Sequence, residues 1–174
     1  MFPQLTTNRL LLQKITWDDQ QFIFEGLSHP EVIPFYGVRY DTFEATAVQI
    51  EWYERIWLEG SGISWKIVDK TSGENLGVIT IYFYKPEHNK AEVGFWLKPS
   101  AWNKGFASEA LHAVTEYWRT KKHLHRLEAF VEQGNTASSK LLEKTGFVFE
   151  GTMRDCEMKN GKYISLHVYS LLLN

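Results

Sequence analysis

From Ile63 onward the chain alternates apolar and polar residues with a period of two in three successive stretches, 63–69, 76–84 and 91–97. Their links, Thr71-Ser72-Gly73 and Lys85-Pro86-Glu87-His88-Asn89, are short and rich in turn formers. Alternation of this period predicts strands, and short links between them predict an antiparallel meander. Upstream the pattern differs. A short strand over 9–15, carrying Leu10, Leu11 and Leu12, runs into Thr16, a residue suited to cap a helix near 17–27. Pro30, Pro34 and Gly37 interrupt 28–41. Helical spacing returns over 42–59 through Phe43, Val48, Trp52 and Ile56, until Gly60 and Gly62 end it.

Pro99 stops the third strand of the meander, and a helix predicted over 107–122 places Ala110, Leu111, Val114, Tyr117 and Trp118 on one apolar face. A strand over 126–133 follows. Asn135 is placed to cap a helix through 145, with Ala137, Leu141 and Leu142 on its buried side and Gly146 just past its end. Two last strands, 147–158 and 163–172, meet at Asn160-Gly161, a strong hairpin signal. The order predicts an α/β fold in which a mixed, mostly antiparallel sheet of about seven strands carries about four helices on its faces. No repeat or linker divides 1–174, so one domain is expected.

Composition narrows the class. With 44% hydrophobic and 23% charged residues, the chain of 174 has the make-up of an ordinary globular protein. Cys156 is its single cysteine, which rules out an internal disulfide and a Cys-rich zinc site and fits a reducing cytosol. Met1-Phe2-Pro3-Gln4 lacks the basic and apolar regions of a secretion signal, and no later run is apolar enough to span a membrane. A formal charge of −2 argues against a nucleic-acid-coating protein. The charge is unevenly spread: 15–60 holds nine carboxylates against two arginines, net −7, whereas 98–174 is net +3. Solvated helix faces that happen to differ would give the same tally.

The stretch from Ala91 to Ala110 carries the candidate chemistry: an apolar strand, a proline, a loop with Gly105, then a helix. Unpaired N–H groups and partial positive charge at a helix start make such a loop a phosphate cradle, although a plain strand-to-helix turn looks the same. Lys104 adds charge and Ser108 a hydroxyl. Neither GxxxxGK nor GxGxxG is present. Gly94, inside the strand, predicts a bulge that splays it from its neighbour and frees backbone groups of Phe95, Trp96 and Leu97 for an extended amide ligand.

The run E-x-G-x-W-x-x-P from Glu92, WNKGFASEA from Trp102 and NTASSKLLEKTGF from Asn135 resemble the GNAT superfamily of acetyl-CoA-dependent N-acetyltransferases. TTNRLLL near the start, with EGTMRD, NGKY and YSLLL near the end, is similar to the branch containing ribosomal-protein N-terminal acetyltransferases. The resemblance implies that Asn103, Lys104, Gly105, Phe106, Ala107 and Ser108 bind the CoA pyrophosphate and that Phe95, Trp96 and Leu97 hold the pantetheine arm. Trp102 stands where the family usually has Gln or Arg, giving an aromatic surface in place of a polar contact. Asn135 matches an asparagine near the pantetheine arm, besides its role as a helix cap.

Acetyl transfer to an amine needs a neutral nucleophile, a polarised thioester carbonyl and a protonated leaving thiolate. An α-amine has a pKa of about 8 and a lysine amine of about 10.4, so a base must assist at neutral pH. Glu92 is the candidate general base, with an exposed strand residue as the plain alternative. Leu142 occupies the place of the family's acidic tyrosine, and Ser138 is the nearest hydroxyl to take that duty, unless it merely serves the start of its helix. A backbone N–H near Gly94 and Phe95 is the expected oxyanion donor. Glu109 reads as a first-turn carboxylate favoured by the helix dipole. Ser165 replaces a frequent aspartate of relatives. His88, His123 and His125 have no metal-site spacing, and no metal is assigned.

Two functions fit these residues. One is an enzyme that moves acetyl from acetyl-CoA to a primary amine, most simply a cationic one, in a direct ternary complex. The other is a GNAT-fold module that binds acyl-CoA without transfer. Trp52, Tyr53 and Trp57 on one predicted helix point to an acceptor pocket or a homodimer contact.

Overall fold

The structure is a computed structural model that describes residues 1–173. One eight-stranded sheet organises the chain, in the order β1 (Leu5–Thr6), β2 (Leu10–Lys14), β3 (Ile63–Asp69), β4 (Asn75–Lys85), β5 (Lys90–Leu97), β6 (Arg126–Glu132), β8 (Lys162–Leu172) and β7 (Val148–Lys159). Every neighbouring pair is antiparallel except β5 with β6. The expected meander is β3-β4-β5. The strand beyond the expected set is β1, two residues long and too short to show a period.

The helices are α1 (Gln20–Leu27), α2 (Ala47–Leu58), α3 (Phe106–Lys122) and α4 (Thr136–Lys144). The first two begin later than periodicity predicts because their leading turns, Trp17–Asp19 and Glu44–Thr46, wind as 3₁₀ helix. Asp19 tightens the first of these turns by accepting the Thr16 N–H at 2.8 Å, and Lys66 on β3 pins the same carboxylate at 2.7 Å. Asn135 caps α4 as expected, its side-chain oxygen accepting the Ser138 N–H at 3.2 Å.

Strand alternation gives the sheet two faces with two cores. Ala91, Val93 and Leu97 join Ala110, Leu111 and Val114 of α3 and Leu142 of α4. Val78 and Trp96 join Phe22, Ile23 and Leu27 of α1 and Ile50 and Tyr53 of α2. The acidic stretch 15–60 thus covers one face, while α3 and α4 cover the other. Trp96 lies at 3% exposure against Phe22, with ring centroids 5.2 Å apart. Gly26 of α1 is the residue that lets the indole in, since a Cβ there would overlap the Trp96 ring.

An ion-pair cluster fastens the last hairpin to the central strands. Arg126 donates to both oxygens of Glu150, at 2.9 and 2.5 Å, and Ser170 adds a bond of 2.6 Å. These hydrogen bonds, Arg126 first, hold the Glu150 carboxyl down to about 2 against an ordinary value of 4.5. A depressed folded-state pKa stabilises above the unfolded value and is lost as pH falls through the folded one. Glu150→Gln is therefore expected to lower Tm at pH 6, with the difference closing between pH 4.5 and about 2. Melting curves of the two proteins across that range check it.

Candidate active site

The parallel pairing of β5 with β6 ends early. Lys90 faces Arg126, Ala91 faces Leu127, Glu92 faces Glu128, and there the ladder stops. β5 runs on to Leu97 and β6 to Glu132 without pairing, so the sheet splits in the middle with Glu92 at the apex of the wedge. The expected splay is present, but Gly94 is not its bulge. Pairing with β4 continues unbroken from Tyr82↔Glu92 through Thr80↔Gly94 to Gly77↔Leu97. The register shift lies between Tyr82 and Lys85, where Phe83 takes a φ of 50°. Gly94 instead makes room for a ring: a Cβ there would stand 3.3 Å from Tyr82 Cε1.

The wedge opens into a cavity of about 1610 Å³ that passes from one face of the sheet to the other. Its α3/α4 side is walled by Trp102, Asn103, Gly105, Phe106, Ala107 and Ser108, by the cap Asn135 and by Ser138, Lys140 and Lys144 of α4. Its α1/α2 side is walled by Tyr36, Tyr40, Glu51, Trp52, Tyr82 and Glu92, and by Glu157 and Lys159 of the last hairpin. Of the expected site residues, the cavity gathers Glu92, Phe95, Trp96, Leu97 and all of the 102–108 loop except Lys104, whose carbonyl is turned to Arg9. On the α1/α2 side Glu31, Glu51, Glu92 and Glu157 outnumber Arg55 and Lys159, while Lys140 and Lys144 line the α4 side, in the sense of the uneven charge tally.

The loop before α3 is shaped by two left-handed residues, Asn103 at φ 57° and Gly105 at φ 80°. Asparagine tolerates that region and glycine enters it freely, which is the backbone reason for both residues here. Trp102 does more than add an aromatic surface: its indole N–H donates to the Leu97 carbonyl at 2.8 Å, engaging one of the acceptors foreseen for the arm. Trp96 contributes only backbone to the wedge, because its side chain is buried under α1.

Glu92 is half-buried and directly opposite Tyr82 on one side and Glu128 on the other. Burial, then the Glu128 charge, push its carboxyl above the usual carboxylate range, against the pull of Lys90, Tyr82 and Lys85. Glu128 itself is shared between Lys90 at 3.0 Å and Arg126 at 2.8 Å, so Glu92 is the carboxylate of the pair without an ion-pair partner among the described residues. A carboxylate at a cavity apex with its pKa raised by burial keeps Glu92 the candidate general base.

On α4, Ser138 and Leu142 are one turn apart on the same face. Leu142 is fully buried, whereas Ser138 lines the cavity while its N–H is held by Asn135. The aromatic trio on α2 divides: Trp52 lines the cavity with its ring 5.9 Å from Tyr82, Tyr53 is buried in the core, and Trp57 packs 5.3 Å from Phe2. Glu51 lines the cavity and Glu54 does not.

Three residues at the site escaped the sequence reading. Tyr82 sits across from Glu92, a relation that exists only once the strand register is set. Lys159, at the end of β7, donates to the Pro34 carbonyl and to Glu132, both at 2.5 Å, tying the last hairpin to the 28–41 segment. Arg9 holds the loop before α3. Among the described residues no group of three or more His, Cys, Asp or Glu side chains is clustered to hold a metal, and no helix is long and apolar enough to cross a membrane.

Comparison with known proteins agrees with this architecture. The family model for the acetyltransferase (GNAT) domain matches residues 9–148. The uncharacterized N-acetyltransferase YoaA of Bacillus subtilis is 35% identical over 173 residues, covering 99% of this chain and 98% of that protein. The ribosomal-protein-serine acetyltransferase of Escherichia coli is 28% identical over 58% of this chain and 56% of its own length. A solved RimL structure, a ribosomal L7/L12 alpha-N-protein acetyltransferase in complex with coenzyme A, superposes with a TM-score of 0.88 at 18% identity, covering 98% of both chains. The chain thus belongs to the GNAT family, enzymes that carry an acetyl group from acetyl-CoA to an amine.

Proposed function

We propose that this acetyltransferase, working in a reducing cytosol, acts on a cationic primary amine, in a ternary complex with acetyl-CoA, using Glu92 as general base and Ser138 as the donor to the leaving thiolate. The observation that carries the reading is the end of the β5–β6 ladder at Glu92. An arm threaded through the wedge from the 103–108 loop brings its thioester beside Glu92, while the amine arrives from the α2 side. The pyrophosphate rests on the N–H groups of that loop, and the open edge of β5 supplies an N–H to the carbonyl oxygen. The ammonium first gives one proton to Glu92 through water; its freed lone pair bonds to the carbonyl carbon, the C–S bond breaks as the departing sulfur takes the Ser138 proton, and the second nitrogen proton passes through water to restore the Ser138 hydroxyl. No metal takes part.

Ser138→Ala is expected to lower kcat by roughly 10- to 100-fold at unchanged CoA affinity, since a hydrogen bond to a developing charge contributes on the order of 1.5–3 kcal/mol. Stopped assays and CoA titration on the same preparation decide it. An unchanged kcat removes Ser138 from the reaction.

The acceptor side carries Glu31, Glu51, Glu92 and Glu157 on its wall. Screening acts over about 8 Å at physiological ionic strength, so the KM of a cationic amine should rise with salt. Glu51→Lys, on the wall, should raise it several-fold further, and Glu54→Lys, off the wall, much less. Mass spectrometry of products from an amine panel, N-terminal peptides and small polyamines included, tests the acceptor class. A neutral best acceptor overturns that part of the reading, and CoA binding without any product would leave a binding module.

A further inference from the structure

Arg9 lines no part of the cavity, yet its side chain binds the loop before α3 from beneath. Its guanidinium donates to the Lys104 carbonyl at 2.9 Å and, through Nε, to Glu109 at 2.7 Å. Its backbone N–H donates to the other Glu109 oxygen at 2.9 Å, and Thr7 donates to that same oxygen at 2.6 Å. The guanidinium carbon sits 4.6 Å from the centre of the Phe106 ring. A Cβ on Gly105 would lie 3.4 Å from an Arg9 nitrogen, so the side chain runs directly beneath the left-handed residue.

This network fixes a direction. In a trans peptide the C=O and N–H point to opposite sides of the chain. The carbonyl of Lys104 and the N–H of Gly105 belong to one peptide unit, and Arg9 holds the carbonyl down, away from the cavity that Gly105 lines. We propose that Arg9 is a positioning residue for the cofactor, holding the Lys104–Gly105 peptide so that the Gly105 N–H faces the pyrophosphate. The inference rests on the reading of 103–108 as the pyrophosphate loop. Glu109 offsets the charge of Arg9, so the contribution is one of orientation. Lysine cannot replace it: a single ammonium does not span Glu109, the Lys104 carbonyl and the Phe106 face together.

Arg9→Ala and Arg9→Lys should both raise the KM for acetyl-CoA about tenfold, the scale of one well-aligned charge-assisted bond. With S-acetyl-pantetheine, which lacks the pyrophosphate, both should match the unaltered protein. A loss shared equally by the two donors overturns the proposal in favour of a loosened fold, and restoration by Arg9→Lys overturns it in favour of simple charge. Glycine-labelled protein titrated with CoA separates this from the underlying reading. The Gly105 amide resonance should shift strongly in the unaltered protein and weakly in Arg9→Ala. Equal shifts in both sink the Arg9 inference alone, and no shift in the unaltered protein sinks the loop assignment together with it.

Discussion

Glu92→Gln is expected to reduce turnover by roughly 10² to 10³ while leaving CoA affinity within a factor of two, the range usual for removing a general base. Its effect on pH dependence is more telling. With Glu92 as the proposed base, transfer requires its ionised form, so the rate of the unaltered enzyme should rise with pH through the Glu92 pKa, which burial and then Glu128 set above 4.5. The glutamine variant should lose that limb. Stability should move the opposite way. A carboxyl whose folded-state pKa is raised binds its proton more tightly in the folded chain, so ionising it costs stability as pH rises from 4.5 through the folded value. Glu92→Gln is therefore expected to melt higher than the unaltered protein at neutral pH, which separates a lost base from a lost fold. Full activity with the same limb, or a lowered Tm, would return Glu92 to an ordinary strand residue.

Gly105→Val should cost CoA binding at least as dearly as Glu92→Gln costs turnover. The residue holds φ at 80°, a region where a β-branched side chain is strained by about 1–3 kcal/mol, and its Cβ would press toward the Arg9 guanidinium. The loop would relieve that strain by turning its N–H groups out of the cradle. An increase in Kd of about 10² or more is expected, with unchanged circular dichroism because the loop is exposed and outside the core. Titration calorimetry measures it. Gly105→Ala should fall between the two, and an unchanged affinity for either variant would place the pyrophosphate elsewhere.

The fold was legible wherever local signals sufficed. Ile63–Asp69 is a strand over the residues that its alternation marks, and the Asn160-Gly161 turn sits where the last two strands meet. Asn135 announces α4, and Pro99 the end of β5. Helix starts were less legible, because Asp19 accepting the Thr16 N–H and the Thr46 hydroxyl donating to the Phe43 carbonyl accompany 3₁₀ turns that periodicity does not register. The loop proposed for the cofactor was readable since its backbone demands, an asparagine and a glycine at positive φ before a helix, are written in residue type.

The sequence by itself determined every strand but β1, the four helices, their order, the loop and the candidate base, because each depends on residues close along the chain or on a motif of fixed spacing. Tertiary structure decided where the sheet opens. The wedge comes from the point at which β5 and β6 part, not from a bulge at Gly94, and the glycine serves the Tyr82 ring from the neighbouring strand. It also decided that Trp52 lines the cavity while Trp57 does not, and that Trp102 answers to Leu97. Arg9 reaches Glu109 across 100 residues, and Lys159 reaches Pro34 across 125. Such contacts carry no periodic or local signal: they arise when strand pairing brings distant segments to one place, and only then does a side chain acquire the partner that gives it a role.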